Sequence, residues 1–337
     1  MTGRLFVTCR KGYRLMNTEK ERNQEKEEDC LVARTPFHLE DGWDLVSDNA
    51  NSSCSHAEID TLIQKRTINL IDLEIMRVLA AYHYVNHHNL ALALSMRLHP
   101  GYQKTSYLDN IRKLKRAGIL LSYYPARLSD MAAGVSFSPA SPLRLYCLSQ
   151  PAFTYMEAIT PDAHPMLPFS ARRKMELAAA NQFLIMFQKH YREQLIGSEY
   201  EKGVKIGNTP FLTDAVIRYR ATFSGKQEKE LVTLFLFSIR RQQGWEKSAL
   251  TRLHLFSIWL SRHGAECLTP FPVLQMEDLS MALTLFARMQ GMDSLAGLPV
   301  YFCMDSLLMV YPPLQTLYQC EVCEDGKVRA VRLEVSI

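Results

Sequence analysis

Apolar and polar positions alternate with helical spacing through residues 101–120, Gly-Tyr-Gln-Lys-Thr-Ser-Tyr-Leu-Asp-Asn-Ile-Arg-Lys-Leu-Lys-Arg-Ala-Gly-Ile-Leu. With Ile111 at the centre of a buried face, Tyr107, Leu108, Leu114 and the stem of Lys115 fall on its side. Thr105, Ser106, Asp109, Arg112, Lys113 and Arg116 fall on the opposite side, and Asn110 is counted with the outward groups. Gly118 stands where a helix ends in a left-handed residue, and an apolar run follows at once. The pattern predicts one amphipathic helix with small hydrogen-bonding groups near its start and cations further along. That is the arrangement a helix needs to lie in a major groove. The plainer account is a solvated surface helix, and the neighbouring segments decide between them.

Upstream, 68–84 reads as a helix, with Ile71, Ile75, Val78, Leu79 and Tyr82 on one face and Asp72 and Glu74 near its start, where negative charge suits the dipole. Asn86 can cap a second helix over 87–98, and His99-Pro-Gly101 is a turn before the basic helix. Downstream, 120–127 has strand composition, 128–142 is a loop rich in Ser, Ala, Gly and Pro, and 143–149 alternates as a returning strand. A helix led by Pro151 closes the unit. Three helices followed by two strands around a long loop is the order of a winged helix-turn-helix, here 65–160, with the basic helix as reader and 128–142 as wing.

Residues 1–64 show no sustained period and are expected to be a flexible or loosely packed arm. Prolines at 161, 165 and 168 make 161–169 a linker. From 170 to 337 the pattern alternates again. A long helix capped by Ser170 is followed by strands over 199–206, 211–223 and 230–239, a helix over 244–263, a strand over 266–275, a helix over 277–290 and a strand over 298–304. A hairpin around Asp325-Gly326 ends the chain. The fold class read from this is α/β (α+β overall): an N-terminal winged helix-turn-helix and a C-terminal α/β domain.

Composition adds little to this picture; charge distribution adds more. The chain of 337 residues carries a net charge of +4, with 47% hydrophobic and 22% charged residues, ordinary for a globular protein. Between Lys65 and Arg127, however, ten Lys or Arg face three Asp or Glu, so positive charge is concentrated around the basic helix. No apolar run approaches the roughly 20 residues of a membrane span, and no signal-peptide core is present. Eight scattered Cys are read as reduced thiols of a cytoplasmic protein.

The helix–strand–strand–helix–strand order of the C-terminal half resembles the restriction-endonuclease core. In that core an acid on one strand and Glu-x-Lys on the next hold a divalent metal. Asp214 sits where the first acid belongs. The partner strand, Leu231 to Arg241, has neither acid nor Lys, and only Ser238, Arg240 and Arg241 stand near its end. One carboxylate rarely holds Mg²⁺, so a degenerate scaffold without catalytic residues is expected, with Asp214 capping a loop or pairing with a cation. Cys320 and Cys323 have the spacing of half a zinc site, but no second pair lies near them, and a hairpin carrying two thiols is the simpler reading. His83, His87, His88 and His99 make no ligand pattern and are expected at the surface. No metal site and no cofactor are expected. No GxxxxGK[ST], GxGxxG or GxSxG motif occurs.

The third helix ending in Arg112-Lys-Leu-Lys-Arg-Ala-Gly-Ile-Leu120, the returning strand that runs into a helix, the Pro-rich linker and the degenerate nuclease-like half together resemble the replication-relaxation family of bacterial plasmids and conjugative elements. The resemblance covers roughly 68–290. The chain departs from the family where Phe235 and Phe237 occupy a strand that usually carries an acid. The resemblance implies DNA binding in replication or transfer of a mobile element. The resulting expectation is a non-catalytic double-stranded DNA-binding protein that uses Lys104, Thr105, Ser106, Asp109, Asn110, Arg112, Lys113, Arg116 and Arg127. The alternatives are a divergent metal-dependent nuclease and a protein-binding adaptor. Self-association or a partner protein is left open for the C-terminal half, and no membrane partner is expected.

Overall fold

The computed structural model describes residues 35–49, 54–104, 106–129, 143–160, 169–200, 203–206, 209–221, 230–263 and 270–333. Most of the 128–142 loop expected to be a wing (130–142), the prolines at 161–168 and Thr105 lie outside the described residues.

The first unit opens with strand β1 (Trp43–Ser47) and helix α1 (His56–Gln64), whose N-terminus is closed by a Ser55–Glu58 capping box. Helix α2 (Leu70–Tyr82) starts at a second capping box, Asn69–Asp72. Strand β2 (Val85–Asn86) leads into α3 (His87–Arg97), where Asn86 Oδ1 accepts from the Asn89 amide at 2.8 Å. A single 3₁₀ turn, Pro100–Tyr102, precedes α4 (Leu108–Arg116). Gly118, at φ +69°, ends that helix in the left-handed conformation expected of it. Strands β3 (Leu120–Arg127) and β4 (Leu145–Leu148) and helix α5 (Gln150–Glu157) complete the unit. Its four-stranded sheet runs β1-β3-β4-β2, antiparallel throughout.

Within the stretch expected to be a loose arm, residues 35–49 and 54–64 are built into the fold. β1 pairs along β3 from Trp43 opposite Arg127 to Ser47 opposite Tyr123, and Phe37 and Ile59 are fully buried. The contacts come from single apolar residues spaced far apart, so no period of 2 or 3.6 betrays them.

The second unit begins with α6 (Ala171–His190), its first turn closed by Ser170. Strands β5 (Leu195–Tyr200), β6 (Gly203–Ile206), β7 (Thr209–Leu212), β8 (Ala215–Ala221) and β9 (Glu230–Ser238) follow. Then come α7 (Trp245–His263), β10 (Pro270–Met276), α8 (Leu279–Gln290), β11 (Tyr301–Met304), a short helix α9 (Asp305–Leu308), and the hairpin β12 (Leu317–Val322) and β13 (Val328–Arg332). The turn of that hairpin is closed by the Gly326 amide on the Cys323 carbonyl, with Gly326 at φ +77°.

The large sheet has the order β13-β12-β11-β10-β9-β8-β5. β5, β8 and β9 are antiparallel neighbours, whereas β10 lies parallel to both β9 and β11. β9 therefore sits mid-sheet with both faces covered, which explains its unbroken apolar sequence. Leu234 and Leu236 face the core that contains α6, while Phe235 and Phe237 face the core that contains α7. Phe235 packs there against Phe256 and Trp259, with ring centroids 5.1 and 5.0 Å apart. Pro270 and Pro272 are tolerated in β10 because they precede Val273, where pairing with β11 begins.

The two units share one core rather than hanging on a linker. α6 is buried along its length from Met175 to Phe187. Its Asn181 amide donates to the carbonyl oxygens of Tyr82 and Tyr84 at 2.5 and 2.8 Å, taking up backbone acceptors left at the end of α2. His83, expected at the surface, lies in the same junction. It is 1% exposed and stacks on Phe153 and Tyr200, because the chain turns sharply there with His83 at φ +55°. No helix among the described residues is long and apolar enough to cross a membrane.

Candidate functional site

The basic helix is shorter than its pattern suggests. The described residues before Leu108 form a 3₁₀ turn, Pro100–Tyr102, and then no helix, so Lys104 and Ser106 precede α4 rather than ride on it. Ser106 Oγ accepts from the Leu108 amide at 3.3 Å. This changes the facing of several side chains. Leu108, expected inside, is 41% exposed in the first turn. Tyr107, Ile111 and Leu114 are buried as expected.

Two of the expected outward residues point inward. Asn110 is 6% exposed and donates from Nδ2 to Asp72 Oδ1 at 2.7 Å, while Lys104 Nζ donates to Asn110 Oδ1 at 3.3 Å. Lys113 forms an ion pair with Asp72 and donates to the Thr67 carbonyl at 3.0 Å. The cause is Asp72. It caps α2 through Asn69 but is fully buried beneath α4, so its carboxylate draws in the nearest donor and cation. A helical wheel of residues 101–120 alone has no view of that carboxylate.

What remains outward on α4 is Asp109, Arg112 and Arg116, with Lys104 and Ser106 just before it. The Arg112 side chain is 64% exposed and pairs with Asp109 at 3.1 Å, itself 95% exposed. Such a surface pair is worth about 0–1 kcal/mol and yields readily to a stronger anion. Arg127 lies exposed at the far end of β3, 5.4 Å from the centre of the Trp43 ring. Sequence reasoning did not find the cluster beside this face. Asp48 of the loop after β1 takes Lys115 at 2.6 Å and Arg144 at 2.8 Å. Burial of Asp48 opposes ionisation, but the hydrogen bonds from those two cations outweigh it and hold the carboxyl below its ordinary range.

In the second unit, Asp214 stands in a break between β7 and β8. It is fully buried and saturated: Arg173 binds one carboxylate oxygen, and Arg252 at 2.9 Å and the Ser238 amide at 2.5 Å bind the other. Burial alone would raise its pKa; the two guanidinium charges and the amide more than reverse this, so it stays ionised. Glu176, one turn along α6, is likewise held by Arg172 at 2.7 Å and Arg173 at 3.0 Å. Both carboxylate oxygens of Asp214 are thereby engaged by cations. Among the described residues no group of three or more His, Cys, Asp or Glu could hold a metal.

A second buried cluster lies beyond Ser238. Arg240 pairs with Asp305 and donates to Ser238 Oγ at 3.0 Å, while Gln275 Nε2 donates to Asp305 at 2.7 Å. Thr35 adds a 2.5 Å hydrogen bond to Asp305, and His38 Nδ1 lies 2.6 Å from Glu277. The segment before β1 therefore seals the end of the large sheet. Cys320 is buried opposite Ala330, with its thiol pushed up to about 12 by burial, and Cys323 sits in the turn. Set against family models, curated proteins and solved structures, the chain matches none of them.

Proposed function

We propose that this chain is a non-catalytic double-stranded DNA-binding protein, accessory or regulatory in the replication or transfer of a bacterial mobile element. The order α2-β2-α3-α4-β3-β4 in the first unit supports reading it as a winged helix, with α4 as the reading helix and the β3–β4 connection as the wing. The observation that carries the reading is the pair Arg112 and Arg116, one helical turn apart and both exposed on the face that also bears Asp109. Lys104 and Arg127 flank that face as further phosphate contacts, and Ser106 and Asp109 are the groups placed to meet base edges. Asn110 and Lys113 are left out of the DNA-binding set, since Asp72 engages both. The second unit is read as a non-catalytic scaffold, and the arginines that neutralise its buried acid Asp214 support that reading.

A protein-binding adaptor is the competing reading, and it draws on Leu108, exposed on the same face. Fluorescence anisotropy with a labelled duplex separates the two. The wild type should bind duplex, and an Arg112→Ala/Arg116→Ala variant that keeps its circular dichroism spectrum should bind it far more weakly. Equal binding by both would remove α4 as the reader.

A further inference from the structure

The described part of the chain begins beside the basic helix. Thr35 is anchored on Asp305 at 2.5 Å, and Pro36 lines a cavity of about 430 Å³ together with Leu108 of α4, Tyr146 of β4 and Met309. Leu108 is 41% exposed and Met309 55%, so the rim of that cavity is an apolar patch. Arg112 stands one helical turn beyond Leu108, and Arg116 one turn beyond Arg112, both exposed. Arg112 belongs to the same corner: burial raises the pKa of the Tyr146 phenol, and Arg144 and Arg112 are near enough to oppose it. With Lys104, and against the carboxylate of Asp109, the exposed groups of this face carry a net charge of +2. Leading away from Pro36, the surface is therefore apolar first and cationic next.

The sequence before Thr35, which lies outside the described residues, has the complementary order. Leu31-Val-Ala33 is apolar, and Arg34 is the one charged residue between Asp29 and Thr35. Glu25-Lys-Glu-Glu-Asp29 then carries four carboxylates against one lysine, a net charge of −3. The six residues from Asp29 to Thr35 reach at most about 20 Å. Helix α4 is about 12 Å long from Leu108 to Arg116, so the acidic run is within reach of both arginines. A tether this short holds it there at an effective concentration on the order of millimolar. We propose that Glu25–Asp29 docks on the Arg112–Arg116 face of α4, with Leu31–Ala33 over Leu108 and Met309, and that duplex DNA must displace it. The docking stands on charge, reach and the position of Pro36. Its role as a brake on DNA binding rests on the reading of α4 given above, with carboxylates taking the place of phosphates.

The test uses the full chain in three forms: wild type, Glu25→Gln/Glu27→Gln/Glu28→Gln/Asp29→Asn, and Arg112→Lys, which keeps the charge and adds an amine. Carbodiimide joins a carboxylate to an amine that touches it. At low salt, peptide mass spectrometry should find residues 25–29 joined to Lys104 and, in Arg112→Lys, to position 112 as well. High salt should abolish these links. Lys115 and Asp48, 2.6 Å apart, are the internal positive control. Isotope-labelled and unlabelled chains mixed before reaction should show links within one chain only. By anisotropy, the acid-neutralised variant, its circular dichroism unchanged, should bind duplex about fivefold or more tighter than the wild type. The docking is overturned if the Lys115–Asp48 link forms and none joins 25–29 to α4, or if the links run between chains. The brake is overturned if the wild type and the acid-neutralised variant bind duplex equally. If the links form and no form of the protein binds duplex, the docking stands and the DNA-binding reading of α4 falls.

Discussion

The ammonium of Lys113 rests against the carboxylate of Asp72, and this contact latches the basic helix to the helix beneath it. Asp72 is fully buried, and the Asn110 amide is its other partner from α4. Removing the cation leaves a buried charge short of a partner, which is the costly way to break such a pair. Lys113→Ala should therefore lower folding stability by about 1–3 kcal/mol in urea unfolding. Arg116→Ala, on the exposed face, should stay within about 0.5 kcal/mol of the wild type. Equal stabilities would mean that the latch carries no weight.

Asp214 gives the fold an acid-sensitive point. Its pKa in the folded protein lies below the ordinary 3.8, so its charge stabilises the native state. That contribution is complete above the ordinary value and is lost as pH falls through the depressed one. Asp214→Asn should be destabilised at neutral pH and show a shallower loss of stability below pH 3.8. Glu277 has the opposite sign: burial outweighs Arg240 and raises its pKa. Its contribution is fully present below 4.5 and shrinks as pH rises through the raised value, so Glu277→Gln should cost less at neutral pH than Asp214→Asn. Thermal melts across the acid range check both.

Arginines take up both carboxylate oxygens of Asp214, so single- and double-stranded DNA should stay intact with Mg²⁺ or Mn²⁺. Gel analysis of both substrates checks this. Cleavage that disappears in Asp214→Ala would restore the nuclease reading.

The thiols divide by burial. Cys147 and Cys320 are held up to about 12 by their surroundings and Cys303 higher still, whereas Cys323 is partly exposed in a turn. Brief alkylation of the native protein followed by peptide mass spectrometry should label Cys323 and spare the other three until the chain is unfolded. Protection of Cys323, together with one bound zinc per chain, would contradict the hairpin reading.

The order of elements was legible because most helices and strands carry their own signals. Asn69, Asn86, Ser170 and Asp278 each cap a helix, Gly118 ends one, and the apolar run 231–239 is a central strand. Pairings between distant residues were not legible. Asn110 to Asp72, Thr35 to Asp305 and Arg252 to Asp214 span 38, 270 and 38 positions, and no local period encodes them. For the same reason the residues assigned to the outer face of the basic helix needed revision. Amphipathic spacing tells which residues lie off the apolar stripe. It is blind to a buried carboxylate from another helix that pulls two of them back in.

The salt dependence of duplex affinity tests the central claim most directly, measured for the wild type, Arg112→Ala, Arg116→Ala and Lys113→Ala over a series of salt concentrations. Each phosphate contact that is lost should lower the slope of log affinity against log salt by about one. The account predicts that drop for Arg112→Ala and for Arg116→Ala. It predicts an unchanged slope for Lys113→Ala, whose charge is already spent on Asp72. No duplex binding by the wild type at low salt, or a slope that changes only in Lys113→Ala, would contradict it.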